Sequence, residues 1–188
     1  MNANIKFKIQ KSKVKIHGIF FNFYFWIFNS LMKAATIHEL KQELSTLSQK
    51  ELVELCLRLG KFKKENKELL TYLLYEAHDE PGYIASVKLE IDEQFEGMNI
   101  SHLYFIKKTI RKILRSIGKH VRYTGSKQAE IEWLIYLCKK INEAGIPVQK
   151  NTALLNLYNN QIKKIQAAIN TLHEDLQYDY KKEMQELK

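Results

Sequence analysis

The sequence predicts an all-α fold, and three observations carry that prediction. After Met32, apolar residues recur at spacings of three and four, the period of one face of a helix. No convincing alternating polar and apolar run appears in the same region, so no strand is signalled. Glycine and proline number only 7 and 2, and they punctuate helical segments instead of filling linkers. Residues 32–188 suffice for a single helical domain with its own core. No repeat of fixed length is present. The expectation is therefore an irregular bundle of six or seven helices with a long C-terminal helix.

Each element has a local reason. Thr36 is placed to cap a first helix carrying Ile37, Leu40 and Leu44. Ser48 and Glu51 form a capping box that opens a second helix running to Leu59 and stopping at Gly60. A third helix is expected over Lys64–Ala77, with Leu69, Leu70, Leu73 and Leu74 facing inward, followed by a turn at His78–Gly82. The fourth spans Tyr83–Phe95, with Ile84, Val87, Ile91 and Phe95 on its inner face, and breaks at Gly97. The fifth runs from Ser101 to Ile117 and ends at Gly118, leaving Tyr123–Ser126 as a loop. Ser126 caps the sixth, which stops at Gly145 with Pro147 beyond. The last helix begins near Thr152. Its apolar series, Tyr158, Ile162, Ile165, Ile169, Leu172, Leu176, Tyr180 and Met184, predicts one helix of about 30 residues, roughly 45 Å long, as the spine of the fold. A stripe of that length also offers a route to a homo-oligomer.

Residues 1–31 differ in character. They hold five lysines and no acidic residue, and run into the aromatic stretch Ile19–Phe28. Three readings compete: a secretory signal, a membrane anchor, and a mis-assigned start upstream of a true first residue at Met32. Phe, Lys, Ile and Asn, whose codons can be written in A and T alone, supply 20 of these 31 residues and favour the third. The choice decides the electrostatics. The whole chain carries 30 basic and 21 acidic residues, net +9; without the five leading lysines the balance is 25 against 21, or +4. Overall charge therefore does not by itself signal a nucleic-acid partner. A start at Met32 implies a cytoplasmic protein; the other two readings imply a secreted or membrane-associated one.

Charge is segregated along the chain. Residues 97–129 contain eight basic residues and no Asp or Glu, whereas residues 32–96 carry 9 basic against 13 acidic. At 100° per residue, Lys107, Lys108, Arg111, Lys112, Arg115 and Lys119 fall on one arc of about 140°, with Tyr104 inside it and Phe105 at its edge. Leu103, Ile106, Ile110, Ile113, Leu114 and Ile117 fill the opposite arc, and His120 and Arg122 are expected to carry the patch onward into a loop. A cationic stripe containing a ring suits a phosphate backbone, held by charge and stacked by the aromatic. Arginine strengthens that fit because its planar fork donates two parallel hydrogen bonds. The candidate binding residues are Lys108, Arg111, Lys112, Arg115, Lys119, Arg122 and Tyr104. Nucleic acid, an acidic protein and an anionic membrane surface all fit such a face. So does internal pairing with Glu39, Glu43, Glu51, Glu54, Glu65 and Glu68.

Other chemistry is poorly supported. GxGxxG, GxxxxGK, GxSxG and HExxH are all missing from the sequence, so no catalytic residue, metal ligand or cofactor is assigned. His38, His78, His102, His120 and His173 are scattered, and His173, Glu174, Asp175 and Asp179 would need a second helix to complete a metal site. Cys56 and Cys138 both sit in helical phase with apolar neighbours and are expected to be buried free thiols. Tyr123–Ser126, between Arg122 and Lys127, can present backbone amides to a small anion at a helix N-terminus. Tyr158, Tyr178 and Tyr180 are expected at core edges.

Residues Lys50–Glu54 with Arg58 and Leu59 resemble the second half of a SAP-type DNA-binding helical hairpin, although Ser45–Ser48 is too short to supply that family's glycine-bearing loop. Residues 32–188, with the run Leu172–Tyr180, resemble small all-helical bacterial proteins without an assigned activity, a likeness that transfers no site. The sequence thus points to a cytosolic, non-enzymatic binding protein. The alternatives are a secreted or membrane-associated helical protein using residues 1–31, and an enzyme of unrecognised type.

Overall fold

The computed structural model of the chain describes residues 34–187, so the competing readings of residues 1–31 lie outside the described residues. The chain divides into two units, one ending at Leu57 and the other beginning at Arg58. Among the described residues there are eight α-helices and no strand. The all-α expectation holds, while the count of six or seven is low.

The first unit contains α1 (Ile37–Thr46) and the start of α2 (Gln49–Phe62). Both open on capping boxes. Thr36 Oγ1 accepts from the Glu39 N–H at 3.3 Å while the Glu39 carboxylate accepts from the Thr36 N–H at 2.7 Å. Ser48 and Glu51 repeat the exchange at 3.4 and 2.8 Å. Neither helix contains a buried residue, and Cys56 is exposed, contrary to the expectation of two buried thiols. α2 passes through Gly60 instead of stopping there.

In the second unit, α3 (Lys64–Thr71) leads into a π-helical turn over Tyr72–Glu76, closed by the Ala77 N–H on the Tyr72 carbonyl at 2.9 Å. The wider turn shifts the helical phase. Tyr72 therefore faces the core, and Leu73 and Leu74, expected inside, are more than half exposed. α4 (Glu80–Glu96) begins earlier than expected because the Asp79 side chain accepts from the Gly82 N–H at 3.0 Å and Pro81 fits the first turn. α5 (Leu103–Thr124) continues through Gly118 and stops at Gly125, whose φ of +65° is the left-handed conformation glycine adopts freely. Burial of Ile117 and packing of Val121 against the core outweigh the cost of about 1 kcal/mol for a glycine inside a helix.

α6 (Lys127–Glu143) is the spine, and it displaces the C-terminal helix from that role. Eight of its residues are buried, including Ile131, Trp133, Leu134, Ile135, Leu137 and Cys138, and at 100° per residue they cover about 240° of its circumference, leaving a strip of Gln128, Glu132, Tyr136, Lys139 and Glu143. A helix apolar around most of its circumference belongs near the centre of a bundle. It packs against α4, α5 and α7 (Thr152–Ile169). Trp133 satisfies its indole N–H on the Ile84 carbonyl of α4 at 3.1 Å. Burial pushes the Cys138 thiol up to about 12.

The long C-terminal helix is two helices. α7 ends at Ile169, and α8 (Glu174–Gln185) starts after an extended His173. The Thr171 hydroxyl donates to the Ala168 carbonyl at 2.7 Å and the Gln177 amide to the Leu172 carbonyl at 2.9 Å, which satisfies groups a continuous helix would pair. Glu174 and Asp175 then occupy the first turn of α8, where acidic residues are favoured. The break turns the chain back toward α6. Tyr180 donates to Glu132 at 3.2 Å, Lys139 pairs with Glu183 at 2.7 Å, and Tyr158 of α7 donates to the Leu187 carbonyl at 3.0 Å. Ile165, Ile169, Tyr180 and Met184 of the predicted oligomer stripe are buried by this intrachain packing. Tyr180 is buried, and Tyr178 is exposed instead of lying at a core edge. No helix among the described residues is long and apolar enough to cross a membrane.

Candidate polyanion interface

α5 is positioned by its apolar side. Ile106, Ile110, Ile113 and Ile117 are buried at four-, three- and four-residue steps, and Leu103, Leu114 and Val121 pack beside them. This seats the helix against α4 and α6 and fixes which arc meets solvent. Its entry is shaped by Asn99, whose side-chain oxygen accepts from the Ser101 N–H at 2.9 Å and the Ser101 hydroxyl at 2.6 Å.

On the outer arc, Tyr104, Lys108, Arg111, Lys112, Arg115 and Arg122 are exposed and Lys107 is half-exposed. Among the described residues no carboxylate lies within 4.0 Å of any of these six cations, while ten other cation–carboxylate pairs are present. The outer arc therefore keeps a charge of +6 uncompensated by direct contacts.

Lys119 behaves differently. It leans off the arc onto Glu68 of α3 at 2.9 Å, with both side chains 28% exposed. Glu68 also accepts from the Tyr123 hydroxyl at 2.9 Å. The Lys119 hydrogen bond holds the Glu68 carboxyl below its ordinary range against the opposing effect of burial. Of the six acids available for internal pairing, Glu68 takes Lys119, and Glu39 and Glu51 are engaged by their own helix caps.

His120 does not extend the patch. It lies within α5, not in a loop, and turns inward. Its Nε2 meets the Glu90 carboxylate at 3.2 Å and its Nδ1 meets the Tyr83 hydroxyl at 2.7 Å. A carboxylate only accepts, so Nε2 carries the proton and the Tyr83 hydroxyl donates to Nδ1. Glu90 is also held by Ser116 at 2.7 Å and Gln94 at 3.2 Å. Burial pushes the His120 pKa below its ordinary 6.5 and the Tyr83 pKa up to about 12. Tyr83 and His120 of this chain line an open cleft of about 460 Å³, together with Tyr72, Glu68 and Lys119. Nothing in the sequence links Tyr83 to His120 across 37 positions; the separation of helices α4 and α5 by a turn is the only hint.

The Tyr123–Ser126 segment uses its own polar groups. Ser126 Oγ accepts from the Ala129 N–H at 3.2 Å, Thr124 Oγ1 accepts from the Ser126 N–H at 3.2 Å, and Lys127 pairs with Glu130 at 2.8 Å. Among the described residues no three His, Cys, Asp or Glu side chains are grouped to hold a metal ion; His173 meets Asp175 alone, at 3.3 Å. Comparison with family models, curated proteins and solved structures finds no match to this chain.

Proposed function

We propose that this chain is a cytosolic, non-enzymatic binding protein that contacts nucleic acid through the outer arc of α5. The observation that supports this reading is the set of six cations, the exposed Lys108, Arg111, Lys112, Arg115 and Arg122 with the half-exposed Lys107, on one helical face without carboxylate partners among the described residues. Holding like charges together on one face costs self-repulsion, and an external polyanion relieves it. Three of the six are arginines and each of the three lysines lies one turn from one, so the face combines forked donors with point charges.

The arc favours nucleic acid over an anionic membrane. A helix that binds lipid buries its apolar side among acyl chains. The apolar side of α5 is already consumed by the core, with Ile106, Ile110, Ile113 and Ile117 at 3% exposure or less. Besides the rings of Tyr104 and Phe105 at its start, charge is what the face has left to offer, a combination that suits a phosphate backbone with bases attached.

Binding of the full chain to a labelled oligonucleotide, measured across a salt series, tests the reading. Six phosphate contacts give a slope of log affinity against log salt of about −4 to −5. Arg111→Glu combined with Arg115→Glu is expected to abolish most binding and to leave the melting temperature unchanged, because both side chains are exposed and unpaired. Unchanged retention of the double variant on a nucleic-acid column removes the proposal. Binding of an acidic protein or of anionic vesicles, with no binding to oligonucleotide, reassigns the same face to that partner.

A further inference from the structure

We propose that the face reads single-stranded nucleic acid, with Tyr104 as a stacking platform for an unpaired base. This rests on the polyanion reading of α5 and narrows it. Tyr104 falls within the angular span of the cationic arc, at its N-terminal end, and is 62% exposed. Phe105, beside it and 41% exposed, meets the Tyr104 ring edge-on, with centroids 5.4 Å apart at 77°. At 62% exposure the Tyr104 ring keeps at least one face open to solvent beside that contact. No hydrogen bond engages the Tyr104 hydroxyl among the described residues, so no internal polar duty accounts for the ring.

The composition of the arc argues against a duplex. Helices that read the major groove present side chains that match base edges, typically Asn or Gln for adenine and Arg for guanine. The exposed arc from Tyr104 to Arg122 holds three arginines that could meet guanine but no Asn or Gln, and its two rings, Tyr104 and Phe105, are features a duplex does not use. A duplex keeps its base faces stacked inside and gives a surface tyrosine nothing to stack on. A single strand offers both a charged backbone and open base faces, the combination that sequence-tolerant single-strand binders use. The distance from Tyr104 to Arg122 is about 27 Å along the helix. At about 3.4 Å per stacked nucleotide, the face spans roughly eight nucleotides.

Lys107, Lys108 and Arg111 follow Tyr104 within two turns. A base on the ring therefore places its flanking phosphates beside these three cations. Farther along, Lys112, Arg115 and Arg122 extend the phosphate track without further rings on the exposed arc. Stacking is expected at one end of the face and charge contacts along the rest.

The test titrates the full chain with a fluorescein-labelled oligothymidylate of about twelve nucleotides and with a duplex of equal length, read by anisotropy. The single strand is expected to bind more tightly. Tyr104→Leu is expected to weaken single-strand binding by roughly fivefold or more, while Tyr104→Phe keeps it, since stacking needs the ring and not the hydroxyl. Ultraviolet crosslinking of the oligothymidylate to the unaltered protein, mapped by mass spectrometry, should place thymidine on Tyr104 or Phe105, and this readout needs no variant to fold. Equal affinity for duplex, an unaltered Tyr104→Leu titration, or crosslinks that avoid both rings overturns the stacking inference. If Arg111→Glu with Arg115→Glu still abolishes binding in that case, the polyanion reading stands by itself. If neither oligonucleotide binds, both fall together.

Discussion

Replacing Glu68 by Gln separates the charge of the α3–α5 contact from its shape. Glutamine keeps an oxygen to accept from the Tyr123 hydroxyl, now 2.9 Å from the carboxylate, but removes the charge that draws Lys119 in at the same distance. Both members of the pair are 28% exposed, so the contact sits between a surface ion pair and a buried one. Exposed pairs contribute up to about 1 kcal/mol and hydrogen bonds to charged groups about 1.5–3 kcal/mol. A loss of about 1–1.5 kcal/mol is expected, which lowers the melting temperature by roughly 3–7 °C for a body of this size. The functional consequence runs the other way. Lys119, released from Glu68, swings back to its place between Arg115 and Lys112 on the helical arc, and the face gains a seventh cation. Oligonucleotide affinity should rise, and the salt slope should steepen by about one phosphate contact. Scanning calorimetry gives the first quantity and a salt series of anisotropy titrations the second. A lower melting temperature with an unaltered salt slope would refute the idea that Glu68 withholds Lys119 from the binding face.

Two further outcomes follow from groups away from that face. The folded protein holds the His120 pKa below 6.5 by burial, so the unfolded chain takes up the proton first. The stability this contributes is complete above about pH 6.5 and is lost as pH falls toward the lowered folded value; Glu68 and Asp92, both held below their ordinary values, weaken the fold only at lower pH still. Melting curves from pH 7.5 to 5 should therefore decline more in the unaltered protein than in His120→Gln, and parallel declines would contradict the assignment. Cys56 is exposed and Cys138 buried with its thiol raised to about 12, so a thiol reagent at neutral pH should label one cysteine in the native protein and the second only on unfolding. Mass spectrometry of the labelled peptides identifies which.

Features decided within a few residues were legible in the sequence. The Ser48–Glu51 capping box and the Ser126 cap are matters of three-residue spacing and appear as expected. The apolar and basic arcs of α5 were legible for the same reason, since helical geometry alone sorts Ile110 from Arg111. What failed needed either a phase change or a distant partner. The π turn at Tyr72–Glu76 moved Leu73 and Leu74 outward, and no residue type announces a fifth residue in a turn. The apolar period runs unbroken through Ile169, Leu172 and Leu176, so the bend at Asn170–His173 was invisible to a periodicity argument. Lys119 and His120 sit beside each other in a basic run, yet Glu68 and Glu90 remove one from the arc and turn the other inward. Those acids lie 30 or more positions away, and only the packing of α3 and α4 brings them near.

The burial of α6 around most of its circumference has a consequence for how ligand contact will register in solution. Amide hydrogens along such a helix exchange with deuterium last, because their release requires opening close to that of the whole unit. α5, half wet, exchanges through smaller excursions. An oligonucleotide bound along its outer arc should slow uptake at Tyr104–Arg122 while leaving the slow-exchanging amides of α6 where they were. The central helix thus serves as an internal clock against which occupancy of the outer one is timed.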